Sequence, residues 1–153
     1  MKSVYRLERV KYYFFDKVEN ENVEERFILG HFSSLKKLYE AISICLKNGF
    51  REQELVISTF FDKFTHNQKY VYVLSHQYSI VDEKGMYIDY EYIFNPFSNK
   101  GKCVSLMNTL KENSKYSESS SKFYDKQSMK GFYISKQIID HLYGIPKSNW
   151  FIN

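Results

Sequence analysis

The sequence predicts an α+β fold of two β-β-α-β units, with a mostly antiparallel sheet and amphipathic helices packed on one face. The pattern Val-Tyr-x-Leu opens the chain at residues 4–7 and returns at residues 71–74. A polar turn and a second aromatic strand follow each copy. Each second strand ends at Phe-Ser, at residues 32–33 and 97–98, before apolar residues at helical spacing. This recurring order of elements indicates a duplicated unit.

The composition favours a single compact globular body. The chain has 153 residues, 43% hydrophobic and 26% charged, which is the size of about one domain. No apolar run reaches the roughly 18–20 residues of a membrane helix, and the N-terminus turns polar at once. We therefore expect no membrane segment and no signal peptide. Lys outnumbers Arg 18 to 4 and Ala occurs once, which indicates a low-GC genome, that of a bacterium, its phage or a mobile element. The expected location is the cytoplasm of such a low-GC bacterial host.

In the first unit, β-branched and aromatic residues predict strands over residues 4–15 and 26–32. Ser33 is the expected helix N-cap, because its hydroxyl can accept from the free amides of the first turn. The helix that follows is amphipathic and ends at residues 47–49 (Lys-Asn-Gly), a typical stop. Residues 55–61 are the expected third strand. The apolar face of the helix consists of Leu35, Leu38, Tyr39, Ile42, Cys45 and Leu46.

The second unit repeats this order of elements. Strands are predicted at residues 71–81 and 87–94, with a turn ending at Gly85 between them. Ser98 is the expected helix N-cap, and residues 131–136 are the expected third strand. The apolar positions of the second helix are Cys103, Leu106, Met107 and Leu110.

We place the first unit at residues 1–66 and the second at residues 67–153, together forming one compact domain. The second unit has two additions, a Ser/Lys-rich segment at residues 114–122 and a C-terminal tail. The polar segment is expected to be a mobile surface loop. Trp150 and Phe151 in the tail are expected to pack back on the body. The six strands could form one continuous sheet or two sheets around a shared core, and the sequence leaves both open.

Three stretches of the second unit share their order with a group of known domains. They are Val-Tyr-Val-Leu-Ser-His-Gln-Tyr at residues 71–78, Phe-Ser at 97–98 and Gly-Phe-Tyr-Ile-Ser-Lys-Gln-Ile-Ile-Asp at 131–140. Over residues 70–140 the chain thus resembles a family of small uncharacterised bacterial and phage domains, a domain of unknown function. The first half looks like a degenerate second copy. The resemblance implies a compact β-β-α-β fold and no activity, and it assigns no functional residue.

The sequence patterns of metal, nucleotide and catalytic sites are missing. The four His are scattered, the Cys form no CxxC pair and the six Gly stand apart, so we expect no metal, no cofactor and no catalytic residue. Cys45 and Cys103 are expected to be reduced, largely buried thiols. An enzyme with a cryptic site is one alternative. Lys100 and Lys102 precede Cys103 near a helix start, which would lower the pKa of its thiol, and His76 could then act as a base.

An acidic segment follows the first strand and leads into the second; it consists of Asp16, Glu19, Glu21, Glu24 and Glu25. Such a cluster can mimic phosphates and bind a basic groove. Together with the small size and the missing catalytic patterns, it predicts a small non-catalytic protein-binding module from a phage or mobile element that regulates or inhibits a host protein. An anti-CRISPR-type inhibitor of a defence nuclease is the concrete form, with a nucleic-acid-handling nuclease complex as the partner.

A Lys/aromatic strip supports the alternative of a nucleic-acid-binding regulator. Its aromatic rings could stack on bases while its Lys side chains neutralise phosphates. The net charge of only +4 and the scarcity of Arg argue against this alternative. The chain could be a monomer, or a homodimer joined through an unpaired edge strand. The strip consists of Lys115, Tyr116, Lys122, Phe123, Tyr124, Lys126 and Lys130.

Overall fold

The structure is a computed structural model that describes residues 2–14, 22–81, 87–112 and 131–151. It confirms an α+β fold with two β-rich units, in which the strands form two antiparallel sheets of three rather than one of six. No described helix is long and apolar enough to cross a membrane. In chain order the elements are β1 (Lys2–Phe14), β2 (Asn22–Phe32), α1 (Leu35–Lys47), β3 (Leu55–Asp62), β4 (Tyr70–Val81), β5 (Tyr87–Phe97), α2 (Lys100–Lys111) and β6 (Gly131–Ile138).

β1 is the central strand of the first sheet, whose order is β2-β1-β3. It pairs antiparallel with both neighbours, so Leu7 lies between Gly30 of β2 and Ile57 of β3. The pairing with β2 shifts just after Leu7, where Leu29 is an extra residue in β2. This bulge keeps both Leu7 and Leu29 in the buried core.

The core of the first unit lies between this sheet and α1. Leu7 from β1 and Leu38 and Cys45 from α1 are all 0% exposed. Burying a leucine side chain stabilises a fold by about 1.5–3 kcal/mol, so these contacts hold α1 on the sheet. Leu142 and Ile145, which follow β6 in the chain, complete the same cluster.

β4 is the central strand of the second sheet, whose order is β5-β4-β6. β4 and β5 pair antiparallel, with a register shift between Val73 and Ser75. Pro96 lies in β5, which is an edge strand, where the missing amide proton is tolerated. In α2 the thiol of Cys103 is buried and donates to the carbonyl oxygen of Tyr72 at 3.4 Å. This contact packs α2 on the sheet of its own unit.

Both helix N-caps lie one residue later than the sequence predicted. The side chains of Ser34 and Asn99 accept from first-turn amides at 3.3 Å and 3.0 Å, so these residues cap α1 and α2. The prediction of Ser33 and Ser98 as caps was wrong. Ser33 is not free to cap, because its hydroxyl donates to the carboxylate of Asp140.

The chain after β6 belongs to the first unit. Contacts divide the chain into Met1–Tyr70 with Gln137–Asn153 on one side and Val71–Lys136 on the other. The sequence analysis had assigned the whole of residues 67–153 to the second unit. The difference arises because residues 139–151, here called the C-terminal segment, pack against β2 and α1.

The C-terminal segment runs along the outer edge of β2. The backbone N–H groups of Asp140 and Tyr143 each donate to a carbonyl oxygen of β2 at 2.7 Å. Gly30 of β2 permits this approach, since a Cβ atom there would lie 2.5 Å from the carbonyl oxygen of His141. One edge of the first sheet is thereby covered by the chain itself.

Buried Arg6 and His31 and half-buried Gln137 form a row of polar side chains in the first unit. Arg6 Nε donates to His31 Nε2 at 2.9 Å, so the neutral imidazole has its proton on Nδ1. Gln137 Oε1 is the acceptor left for this proton, since neither atom has another partner among the described residues. Burial, and then the charge of Arg6, lowers the pKa of His31 to about 3. His31 is therefore a neutral structural link.

This pKa predicts acid sensitivity. An unfolded histidine protonates near pH 6.5, whereas folded His31 does so near pH 3. Between these two pH values the unfolded chain binds one more proton than the folded chain. The free energy of unfolding therefore decreases by up to about 1.4 kcal/mol for each pH unit by which the pH falls. We expect His31→Gln, which can still accept from Arg6 and donate to Gln137, to reduce this slope in urea unfolding.

The matched control is His66→Gln, which removes an exposed histidine and should leave the slope as in the parent. Equal slopes for the parent and His31→Gln would contradict the assignment of His31 as a buried neutral group.

Candidate functional site

A groove of about 450 Å³ lies in the first unit between α1 and the C-terminal segment. α1 contributes residues three and four positions apart, which share one face of a helix. Its lining combines apolar and aromatic residues with charged ones. The apolar lining residues are Phe32, Ala41, Ile44, Leu142, Trp150 and Phe151, and the charged ones are Lys37, Glu40, Lys47 and Asp140.

Trp150 is held in place by contacts within the C-terminal segment. Its indole Nε1 donates to the carbonyl oxygen of Ile145 at 2.8 Å. The ring of His141 packs edge-on at a centroid distance of 5.5 Å, and Lys147 Nζ lies 5.7 Å from the indole centroid. A ring fixed in this way loses little conformational freedom when another group packs on it.

Phe151 extends beyond the packed part of the segment. The sequence analysis expected both aromatic residues at the end of the tail to pack on the body. Trp150 does pack against the core cluster of the first unit. Phe151 does not, because 85% of it is exposed, and that part of the prediction was wrong. A phenylalanine this exposed beside a groove provides apolar surface for a partner.

Asp140 joins the groove to the N-terminus of α1. Its carboxylate accepts from Ser33 N at 2.8 Å, from Ser33 Oγ at 2.7 Å and from Lys37 Nζ at 2.9 Å. Burial raises the pKa of Asp140, but the hydrogen bonds from Ser33 and Lys37 outweigh it and bring the pKa below its ordinary value. The contribution of this carboxylate to stability is therefore present at neutral pH and lost as the pH falls through the folded pKa.

The other end of α1 is also tied to the C-terminal segment. Asn48 Nδ2 donates to the carbonyl oxygens of Ile44 and Asn149, at 2.8 Å and 3.1 Å. The segment is thus fastened at both ends of the helix, by Asp140 and by Asn149. This double attachment sets the width of the groove.

A smaller cleft of about 200 Å³ shares Lys37 and Asp140 with the groove. Lys2, Ser33 and His66 also line it, so its walls are polar and basic. Helix N-termini favour negative charge, and the Asp140 carboxylate already takes that position at α1. The groove is therefore the stronger candidate for a binding site.

The residues of the acidic segment are described only in part. Asp16, Glu19 and Glu21 lie outside the described residues. Glu24 is in β2 opposite Tyr12, and nothing is described of its side chain. Glu25 is exposed and lies opposite Lys11. The Lys/aromatic strip lies wholly outside the described residues: Lys115, Tyr116, Lys122, Phe123, Tyr124, Lys126 and Lys130.

The groups proposed for a cryptic catalytic site are buried. Cys45 and Cys103 are free thiols, as expected, and burial raises the pKa of each to about 11. The idea that nearby Lys charges and a helix start lower the pKa of Cys103 was wrong, because the loss of water dominates. His76 is buried with its ring 4.5 Å from that of Phe132, and burial lowers its pKa. Within the described residues no three His, Cys, Asp or Glu side chains could hold a metal ion.

Comparisons with protein-family models, with curated proteins and with solved structures find no match to this chain. The resemblance to small uncharacterised bacterial and phage domains therefore stays a prediction. The site rests on the geometry of the groove alone.

Sequence reasoning missed the groove and the role of Asp140. The available signal was the aromatic pair Trp150-Phe151 in a tail that has a single proline and begins directly after a strand. Nothing local indicated that this tail returns to α1, because Ser33 and Asp140 are 107 positions apart.

Replacing Asp140 by Asn should loosen the C-terminal segment. Asp140 has a φ of 62°, a conformation that asparagine also adopts, so this change removes the charge without new backbone strain. We expect a loss of about 1–2 kcal/mol in the free energy of unfolding, because a charge-assisted hydrogen-bond network is weakened. Emission of Trp150, the single tryptophan, should shift to longer wavelength. Chemical unfolding and fluorescence check both effects.

Glu40→Gln is the control for Asp140→Asn, since it removes an exposed carboxylate from the same groove and should change stability by less than about 0.5 kcal/mol. Equal stability of the two variants would refute the anchoring role of Asp140.

Proposed function

We propose that the chain is a non-catalytic protein-binding module whose groove receives an aromatic or large apolar side chain of a partner protein. The observation that supports this most is that the exposed Phe151 and the fixed ring of Trp150 both line the groove. Tryptophan and other aromatic residues are enriched at the energetic centres of protein interfaces. A preformed wall on α1 lowers the cost of ordering the site on binding.

The charges around the groove favour an acidic segment as the partner. Lys37 is already neutralised by Asp140 at 2.9 Å. Lys47 lines the groove, and Lys147 lies beside the Trp150 ring, so these two ammonium groups outnumber the one further carboxylate of the groove, that of Glu40. The ligand that fits is therefore a peptide with an aromatic or large apolar anchor flanked by Asp or Glu.

Four titratable groups of the first and second units serve the fold, which supports binding rather than catalysis at these positions. His31 accepts from Arg6 as a neutral imidazole, and the high pKa of Cys45 and Cys103 keeps both thiols protonated at neutral pH. The Asp140 carboxylate holds the C-terminal segment. Each of these four groups thus has a structural partner or an inert environment.

For the biological role, we propose that the module regulates or inhibits a host protein, as inferred from a low-GC composition and a phage or mobile-element origin. Inhibition of a defence nuclease is the specific form that the acidic segment suggests, since clustered carboxylates can occupy a basic nucleic-acid groove. The nucleic-acid-binding alternative rests on the Lys/aromatic strip, and no described contact favours it.

Truncation of Phe151 should weaken ligand binding. Selection of displayed random peptides against the parent chain should enrich sequences with an aromatic or large apolar residue beside Asp or Glu, and their binding should change Trp150 emission. We expect Phe151→Ala to raise the dissociation constant about tenfold or more, because an exposed aromatic anchor is lost. Fluorescence titration of the selected peptides measures the change.

Phe61→Ala is the matched control, because Phe61 is also exposed but belongs to β3 and does not line the groove. It should leave the dissociation constant within about twofold of the parent. Peptides that bind Phe151→Ala as tightly as the parent, or that leave Trp150 emission unchanged, would refute the proposed site.

Charge reversal tests the specific form of the proposal. When the parent chain is immobilised on a resin and incubated with a nuclease-treated lysate of a low-GC bacterium, it should retain one host protein that handles nucleic acid. Changing Glu19, Glu21, Glu24 and Glu25 to Lys should abolish this retention, because four carboxylates become cations. Mass spectrometry of the eluates reads the result.

Equal recovery with the reversed chain would dispose of the role of the acidic segment. Recovery that disappears on nuclease treatment would instead support direct nucleic-acid binding, whose affinity should fall steeply with salt.

A further inference from the structure

Among the described residues, β3 is the open edge of the first sheet. β1 pairs with one side of β3, and no described strand pairs with the other. The opposite edge of the sheet, along β2, receives the N–H groups of Asp140 and Tyr143. Within the part of the chain that the structure describes, one edge of this sheet is therefore covered and the other has no paired strand.

The sequence of β3 lacks the features that block edge pairing. Leu55–Phe61 contains no charged residue and no proline, whereas natural edge strands commonly have lysine, proline or a bulge. Exposed and partly buried residues alternate along its second half. Ile57 and Phe61 are 46% and 68% exposed. β3 thus combines an open edge with an exposed apolar face.

This apolar face is on the same side of the sheet as α1. Ile57 lies directly opposite Leu7, and direct partners in an antiparallel pair point to the same side. Leu7 is in the core beneath α1. Thr59, between Ile57 and Phe61 on this side, is also exposed. Ile57, Thr59 and Phe61 therefore form an exposed row along β3, on the side of the sheet that carries α1.

We propose that a second copy of this chain pairs with β3 in antiparallel orientation, about a two-fold axis at Thr59. The axis places Thr59 opposite Thr59 of the partner subunit. Ile57 then lies opposite Phe61 of the partner subunit, and the symmetry repeats this pair on the other side. Aromatic–β-branched and Thr–Thr pairs are favourable cross-strand neighbours, so the strand is complementary to itself.

The exposed side chains select this register over its nearest alternative. In a two-fold antiparallel pair, direct partners must lie on the same face, so the axis passes through a residue of β3. An axis at Ser58 would place Ile57 opposite Thr59 of the partner subunit. The axis at Thr59 instead places the two most exposed apolar residues of β3, Ile57 and Phe61, opposite each other.

The dimer is independent of the groove. Phe151 and Trp150 lie against α1 and the C-terminal segment, and none of the residues that line the groove belongs to β3. Phe151→Ala should therefore leave the dimer intact while it weakens peptide binding. If the chain dimerises but binds no peptide, the proposed function fails and this inference stands. If it binds peptide but does not dimerise, this inference fails and the proposed function stands.

The oligomeric state of the full chain tests the inference. Light scattering behind size exclusion should give twice the mass of one chain for the parent. Thr59→Lys should raise the dimer dissociation constant about tenfold or more, because the axis sets the two new ammonium groups against each other. Thr109→Lys, the same change on the exposed face of α2, should leave the dimer unchanged. Far-UV circular dichroism confirms that both variants fold.

A parent chain with the mass of one copy, or a Thr59→Lys variant that stays dimeric at the same dissociation constant, would overturn the proposal. The register has its own test. Under mild oxidation Thr59→Cys should give a disulfide-linked dimer, whereas Ser58→Cys should give at least about tenfold less, because its partner position is Phe60 of the partner subunit. Equal yields would overturn the axis at Thr59.

Discussion

The hydrogen bonds of the Asp140 carboxylate organise the first unit. One side chain accepts from a backbone amide, a hydroxyl and an ammonium group at the start of α1, and it belongs to a chain segment that follows the last strand. The left-handed backbone conformation of Asp140 turns the chain at this point, and the backbone N–H of the same residue donates to a carbonyl oxygen of β2. Because a polar contact between such distant residues costs chain entropy, the apolar contacts of Leu142 and Ile145 must support it.

Two properties follow from this one attachment. The C-terminal segment forms a wall of the groove with Trp150 and Phe151, so the candidate binding site exists only where the segment is docked. The same segment covers the edge of β2, so that among the described strands β3 is the edge without a neighbour. A partner protein and a second copy of the chain can therefore use separate surfaces of one unit. The close approach at Gly30 shows how little space the packing leaves.

The fold was largely predictable from the sequence because its signals are local. Apolar spacing of three and four residues marks α1, and β-branched and aromatic residues mark the strands. The cap positions were missed because Ser33 and Ser34 are both good caps, and only the distant Asp140 decides between them. The groove was missed for the same reason. Phe151 was expected to pack because it is apolar, yet no local rule states whether a tail residue finds a partner.

Hydrogen exchange at individual amides tests the attachment of the C-terminal segment most directly. We expect the amides of Asp140 and Tyr143 to exchange as slowly as those of the β1–β2 ladder, because each donates a hydrogen bond to a carbonyl oxygen of β2 at 2.7 Å. Exchange of these two amides at the rate of an unstructured peptide, with the ladder still protected, would contradict this attachment. In that case the groove would lose one of its walls, and β2 would be a second open edge.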